Sequence, residues 1–147
     1  MTFINPKTDY AFKKIFGSSD SKAILISFLN AMIYDGNPTI EDLEIIDPNL
    51  PPRVEGLKDS SLDVKAQLAD GTLVIIEMQV LNVESFGQRI LYNAAKTYAF
   101  QLQKGEGYRM LKPVIALTIT DFEMFKNSNN LISRFVYKEE ASNLPYP

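Results

Sequence analysis

Two short apolar segments joined by a glycine-containing linker constrain this chain more than any other feature. They run over residues 62–68 and 72–80, with Ala69-Asp70-Gly71 between them. Apolar and polar residues alternate along both segments, and this pattern around a short turn predicts a β-hairpin. The register of that hairpin decides which polar side chains lie together.

Two turns fit the linker, and they place Asp63 differently. A two-residue loop would pair Asp63 with Met78, whereas a three-residue loop with a left-handed Gly71 brings Asp63 opposite Glu77. Only the three-residue loop sorts the arms into an apolar face and a mostly polar face, so we predict that register. The apolar face then carries Leu62, Val64, Ala66, Leu68, Val74, Ile76 and Met78, and the opposite face carries Asp63, Lys65, Gln67, Leu73, Ile75, Glu77 and Gln79.

The polar face has two interpretations. It is either the solvated side of a half-buried hairpin or a site for a hard cation. For the second, Asp63 and Glu77 offer carboxylates, the Met78 backbone carbonyl offers a further oxygen, and Gln79 points to the same side as Glu77. Such ligands suit Mg²⁺ or Mn²⁺. Leu73 and Ile75 on the same face indicate that this face is partly covered, which favours the second interpretation.

The composition excludes several chemistries. The 147-residue chain contains neither cysteine nor histidine, which excludes disulfides, thiolate nucleophiles, a Ser-His-Asp triad and imidazole metal ligands. Hydrophobic residues make up 46%, enough for a core in one domain of ordinary size. The net charge of −3 argues weakly against holding DNA by overall charge. With no signal-like start and no membrane-length apolar run, we predict a cytoplasmic protein that does not bind membranes.

The remaining elements predict an α/β fold with a mixed sheet. The order is two helices, a strand, the hairpin, a long helix and a strand, with parallel strands on either side of the long helix. We predict helices over 8–16, 21–34 and 84–104, strands over 43–46, 113–120 and 131–138, and a loop over 49–61. The strand at 113–120 lacks alternation, which predicts burial on both faces.

The long helix carries two stripes of residues at helical spacing. The apolar stripe predicts the packing side, with Gly105 as the C-cap; it consists of Phe86, Ile90, Leu91, Ala94, Ala95, Tyr98 and Leu102. The polar stripe is either an ordinary solvated face or a phosphate-binding surface; it consists of Gln88, Arg89, Tyr92, Asn93 and Lys96.

Several short motifs together resemble the PD-(D/E)XK nuclease family transposases, also called recombination-promoting nucleases. In order they are Thr8-Asp9-Tyr10-Ala11-Phe12-Lys13-Lys14-Ile15-Phe16-Gly17, Ser61-Leu62-Asp63-Val64, Ile76-Glu77-Met78-Gln79, Arg89-Ile90-Leu91-Tyr92-Asn93-Ala94-Ala95-Lys96-Thr97-Tyr98, Gln101-Leu102, Gly105, Tyr108 and Pro113-Val114-Ile115. The resemblance implies a restriction-endonuclease-like core and Mg²⁺-dependent cleavage of DNA.

The resemblance also implies roles for individual residues. Asp63 and Glu77 would be metal ligands, and Gln79 occupies the catalytic position where the wider superfamily has a lysine and this branch usually has a glutamine. The accessory and phosphate-binding positions would be Asp9, Arg89 and Tyr92. Because family members are often longer, we expect residues 1–147 to be one nuclease-like domain without a C-terminal helical portion.

Three functions follow as hypotheses. The first is a Mg²⁺- or Mn²⁺-dependent DNA endonuclease of transposase or recombination type, acting on DNA as its partner, with a homo-oligomer left open. The second is a weakly active or inactive DNA-binding or protein-interaction module with the same fold. The third is a sugar or nucleotide hydrolase with Asp63 and Glu77 as acid and base, which is disfavoured because no aromatic cluster accompanies them.

Overall fold

A mixed four-stranded sheet with helices on both faces forms the body of the molecule. The computed structural model describes residues 3–51 and 58–146. The elements are α1 (Asp9–Phe16), α2 (Lys22–Ile33), β1 (Leu43–Ile46), β2 (Asn49–Leu50), β3 (Ser60–Ser61), β4 (Val64–Leu68), β5 (Leu73–Gln79), α3 (Phe86–Ala99) and β6 (Val114–Thr120), with short 3₁₀ turns at Ser19–Ser21 and Tyr108–Met110. No helix in the described ranges has the length and apolar character to cross a bilayer.

The sheet order is β1-β4-β5-β6, and the pair on either side of α3 is parallel. The β1–β4 and β4–β5 pairs are antiparallel, whereas β5 and β6 run in the same direction. The α/β class and the mixed sheet are therefore confirmed, as is the predicted parallel pairing around the long helix.

The β4–β5 hairpin has the predicted three-residue loop. The Leu68 N–H donates to the Thr72 carbonyl at 2.9 Å, and Gly71 has φ +88°, the left-handed conformation that a G1 bulge requires. Val64 pairs with Ile76. This register, continued by one residue, puts Asp63 opposite Glu77.

One face of the sheet packs against α1 and α2. The fully buried residues of this cluster are Phe12, Leu25, Leu29, Ile40, Leu43, Val64, Ala66, Leu68, Val74 and Ile76. They include almost the whole predicted apolar face of the hairpin. Its burial explains why the register is so well specified, since a slip by one residue would expose that set to water.

Leu62 departs from the prediction and packs on the other face of the sheet. It is fully buried with Leu50 and Ile75, against Ala94 of α3. The alternation breaks because β4 begins only at Val64 and the chain bends just before it. At this point the side chain of Asp63 takes the place of a ladder bond, since it accepts from the Met78 backbone N–H.

Two segments differ from the prediction in secondary structure. The predicted loop over residues 49–61 contains the short antiparallel β2–β3 pair, and its residues 52–57 lie outside the described ranges. The predicted strand at 131–138 is wrong: only Lys138 makes an isolated bridge, to Pro145, and Leu131 is 100% exposed. Apolar alternation there does not produce a strand because none of the described strands pairs with it.

β6 was expected to be buried on both faces, and this is wrong. Its residues are partly exposed because it forms the edge of the sheet, so one side of its backbone has no neighbouring strand among the described residues. Its parallel pairing to β5 is nevertheless continuous from Val114 to Thr120.

α3 is shorter than predicted and is rotated from the predicted packing side. It ends at Ala99 with Phe100 as C-cap, so Gly105, with φ +94°, belongs to a later turn. Leu91, expected on the packing side, is 62% exposed. The buried residues of α3 are Phe86, Asn93, Lys96 and Thr97. The polar residues turn inward because they meet Glu77 and backbone carbonyls there, which the sequence pattern alone did not indicate.

Candidate active site

The carboxylate of Asp63 lies at the point where the hairpin opens. Its Oδ2 accepts a hydrogen bond from the Met78 backbone N–H at 2.7 Å, which takes the place of a ladder bond. Its Oδ1 lies 3.5 Å from Lys13 Nζ, and the side chain is 17% exposed. Asp63 is therefore in a polar, partly accessible position and not in the apolar core.

Helix α1 supplies the charged neighbours of Asp63. The Thr8 hydroxyl caps the helix by accepting from the Ala11 N–H. Asp9 and Lys13 are four residues apart, so they lie one turn apart on this helix, and both side chains are exposed. Lys13 Nζ lies 3.0 Å from Asp9 Oδ1 and so bridges both acids. Asp9, expected as an accessory acid, is thus brought beside Asp63.

The two acids on either side of Lys13 are shifted in opposite directions. The hydrogen bond from Lys13 holds the pKa of Asp9 below its ordinary value. Burial raises the pKa of Asp63, and the Met78 N–H and the charge of Lys13 only partly offset this. Asp63 therefore carries a charge that its surroundings do not fully stabilise.

Glu77 is held by helix α3 from the other side of the sheet. The side chain is almost fully buried, and its Oε1 accepts from Asn93 Nδ2 at 2.9 Å. Its Oε2 lies 3.4 Å from Arg89 Nε. One carboxylate is therefore oriented by a neutral amide and a guanidinium on successive turns of the same helix.

Gln79 is engaged at both ends of its amide. Its Nε2 donates to the Leu81 carbonyl at 2.6 Å, and its Oε1 accepts from Arg89 Nη2 at 2.6 Å. Tyr92, expected with Arg89 as a phosphate-binding residue, donates instead to the Lys58 carbonyl at 3.4 Å. Arg89 is therefore the member of this predicted pair that contacts both Glu77 and Gln79.

Two residues that sequence reasoning left as a possible solvated stripe are buried. Lys96 Nζ donates to the Leu50 carbonyl at 2.5 Å, the Lys58 carbonyl at 2.8 Å and Ser60 Oγ at 3.2 Å. It ties α3 to the chain on both sides of residues 52–57. Asn93 is also buried, and its Oδ1 has no hydrogen-bond partner in the part of the chain that the structure describes. The sequence signal for their burial was their spacing of three residues, which puts Asn93 and Lys96 on one face of the helix.

The donor set fits a hard divalent cation. A carboxylate whose charge is penalised by burial, as at Asp63, is the kind of group that a bound cation stabilises. Across residues 3–51 and 58–146 no three acidic side chains lie close enough to hold a metal together. Mg²⁺ commonly takes only one or two carboxylates, with water and phosphate as its other ligands. The ligand roles of Asp63, Glu77 and the Met78 carbonyl stay predictions.

Comparison with known protein families shows which family the chain belongs to. The family model for PD-(D/E)XK nuclease family transposases matches residues 6–145 of the 147. A search of curated proteins and a search of solved structures each found no match. The match spans α1, the hairpin and α3, and it agrees with the mixed α/β sheet and with a function of nuclease or transposase type. The chain therefore belongs to the PD-(D/E)XK nuclease family transposases.

Proposed function

We propose that this protein is a metal-dependent endonuclease that hydrolyses phosphodiester bonds of DNA in transposition or recombination. The observation that carries the proposal is the bond from the Met78 N–H to Asp63, because it fixes the first acid beside the residue that follows Glu77. Family membership supports the reaction class.

The residues around the two acids have separable tasks. Asp63 and Glu77 would hold Mg²⁺ or Mn²⁺, and the ion, when bound, would activate water and stabilise charge on a phosphate oxygen. Asn93 donates a hydrogen bond to Glu77 and so orients that carboxylate. Arg89, with its side chain 44% exposed, is accessible to a phosphate of the substrate.

Hydrolysis forms a bond from the water oxygen to phosphorus and breaks the bond from phosphorus to the 3′ oxygen. The proton lost by the water is balanced by protonation of the leaving oxygen from solvent. The chain has no histidine for this transfer, so the proton comes from water or from an Asp, Glu, Lys or Tyr side chain.

A second candidate, a binding module without catalysis, is favoured by one specific observation. Each of the two acids already has a cationic partner within the protein, Lys13 for Asp63 and Arg89 for Glu77. Ion pairs of this kind also occur where carboxylates have a structural role only.

Nicking of supercoiled plasmid with Mg²⁺ or Mn²⁺, against an EDTA control, distinguishes the two candidates. We expect the wild type to nick, and Asp63→Ala or Glu77→Ala to reduce nicking by more than about 100-fold, beyond the usual loss for a residue that only supports a ligand. Glu84→Ala, which removes an exposed carboxylate, is the matched control and should be unchanged.

Circular dichroism verifies that each variant is folded, and calorimetric titration with Mn²⁺ measures binding directly. Absence of both nicking and Mn²⁺ binding in the wild type would refute the endonuclease proposal and favour the binding module.

A further inference from the structure

The motif of this chain lacks the positive charge that a lysine at position 79 would supply. Gln79 is neutral, and its amide orientation is determined by its two bonds. The NH₂ end donates to the Leu81 carbonyl, so the oxygen end faces Arg89. In this orientation the amide presents its acceptor oxygen to the Arg89 cation, and its NH₂ group donates to the Leu81 carbonyl.

The guanidinium of Arg89 is held from three directions. Besides the bond to Gln79, its Nε lies 3.4 Å from Glu77 Oε2, and its Cζ lies 5.0 Å from the centre of the Phe86 ring. Phe86 and Arg89 lie one turn apart on α3, so the helix supplies both the cation and the ring on which it rests.

The outcome is a fixed positive charge between the side chains of the Glu-x-Gln motif. An arginine suits this place because its fork can donate to an amide oxygen and a carboxylate and still leave N–H groups for a third partner. A lysine ammonium on the same helix could not make the ring contact and the two separate bonds in the same geometry.

We propose that Gln79 is a positioning residue that holds Arg89 at the place where a lysine at 79 would carry its charge, and that Arg89 there binds a phosphate of the DNA. The proposal rests on the proposed function. It makes Gln79 and Arg89 one unit, in which the neutral amide is required because a second cation at position 79 would repel the guanidinium.

A charge exchange between the two positions tests this unit. The variants are Gln79→Lys, Arg89→Gln and the double variant with both changes. Gln103→Lys, an equal charge change at an exposed position beyond the end of α3, is the control. Binding of a short DNA duplex is measured by fluorescence anisotropy in Ca²⁺ at several salt concentrations, and kcat and KM for nicking are measured in Mg²⁺.

We expect Arg89→Gln to weaken duplex binding and to lower the slope of log affinity against log salt by about one phosphate contact. Gln79→Lys alone should lower kcat by more than tenfold although it adds a positive charge, whereas Gln103→Lys should leave kcat unchanged. The double variant should recover at least tenfold over Gln79→Lys, because its lysine then has no guanidinium beside it.

Three results would overturn the inference. One is a Gln79→Lys variant with wild-type kcat and salt slope, and the second is a double variant whose loss is the sum of the single losses. In both cases the proposed function still holds as long as the wild-type protein nicks DNA. The third, a wild type that neither nicks nor binds the duplex, overturns the proposed function as well. If Gln79→Lys does not fold, Gln79→Met replaces it, because methionine removes the acceptor without adding charge. Gln79→Met should lower the slope of log affinity against log salt as much as Arg89→Gln does.

Discussion

At the level of single residues, the two acids of the site have different polar partners. Glu77 has an amide donor and a guanidinium, whereas Asp63 has one backbone N–H and a shared lysine. Burial raises the pKa of Asp63, and its charge costs stability unless a cation compensates it.

Asp63→Asn should stabilise the metal-free protein. The amide keeps an acceptor for the Met78 N–H and removes a poorly solvated charge, so we expect the free energy of unfolding to rise by about 0.5–2 kcal/mol. Denaturant unfolding in EDTA measures this, with Asp59→Asn, at an exposed site, as the control. Mn²⁺ at 100 times its Kd should add about 2.7 kcal/mol to the wild type and little to the variant. A less stable variant in EDTA would contradict the prediction.

The same substitution should change how stability depends on pH. Because the folded pKa of Asp63 lies above 3.8, its unfolded value, the folded protein binds that proton more tightly. Stability is then lost as pH rises from 3.8 through the raised pKa. Asp9, with a lowered pKa, acts in the opposite direction, and Lys13 remains charged in this range. The difference between wild type and Asp63→Asn isolates the Asp63 contribution, and identical pH profiles would refute it.

At the level of elements, the hairpin and α3 position the two halves of the site. The turn sets the register that places Asp63 opposite Glu77, and α3 brings Asn93 and Arg89 to Glu77. Lys96 further attaches α3 to the segments before and after residues 52–57. The same helix face thus orients a candidate catalytic acid and fastens the chain that leads to Asp63.

Gly71→Ala should weaken the hairpin turn. The residue has φ +88°, and an added Cβ would lie 3.1 Å from the Lys112 side chain, which is flexible enough to move. The backbone strain remains, so we expect a loss of about 1–2 kcal/mol in the free energy of unfolding. Gly107→Ala is the control, since its φ is −83° and a Cβ there meets nothing within 4 Å. Equal stability of the two variants would contradict the assigned turn.

At the level of the whole molecule, order is concentrated in the sheet. Both core clusters draw on β4 or β5, whereas the chain after β6 is mostly exposed and has few backbone hydrogen bonds. Apolar side chains such as Phe135 and Tyr137 are exposed there. Asp63 lies just before β4 and Glu77 lies near the end of β5, so both acids are attached to the well-packed sheet, which holds them rigidly.

Hydrogen exchange should report this gradient. We expect the amides of β4 and β5 to exchange only through global unfolding, and most amides between residues 121 and 146 to exchange much faster, since local opening there disrupts little packing. Glu139, whose N–H donates to Leu144 at 2.8 Å, should be slower than its neighbours. Uniform protection across the chain would refute the gradient.

The sequence by itself determined the elements whose signals are local. The α/β order follows from caps and periodicity, and the hairpin register follows from alternation across a three-residue loop, because both depend on residues close together in the chain. The position of Asp63 opposite Glu77 therefore follows from the sequence alone.

Only the tertiary structure decided which side of α3 is buried and which cation accompanies each acid. Asn93 donates to Glu77, which is 16 residues away in the sequence, and Lys96 donates to the carbonyl of Leu50, which is 46 residues away. An inward polar residue is unfavourable until such a partner is present, so helical periodicity favoured the apolar stripe and was wrong for Leu91. The predicted strand at 131–138 failed for the same reason, since a strand requires a partner strand that local sequence does not specify.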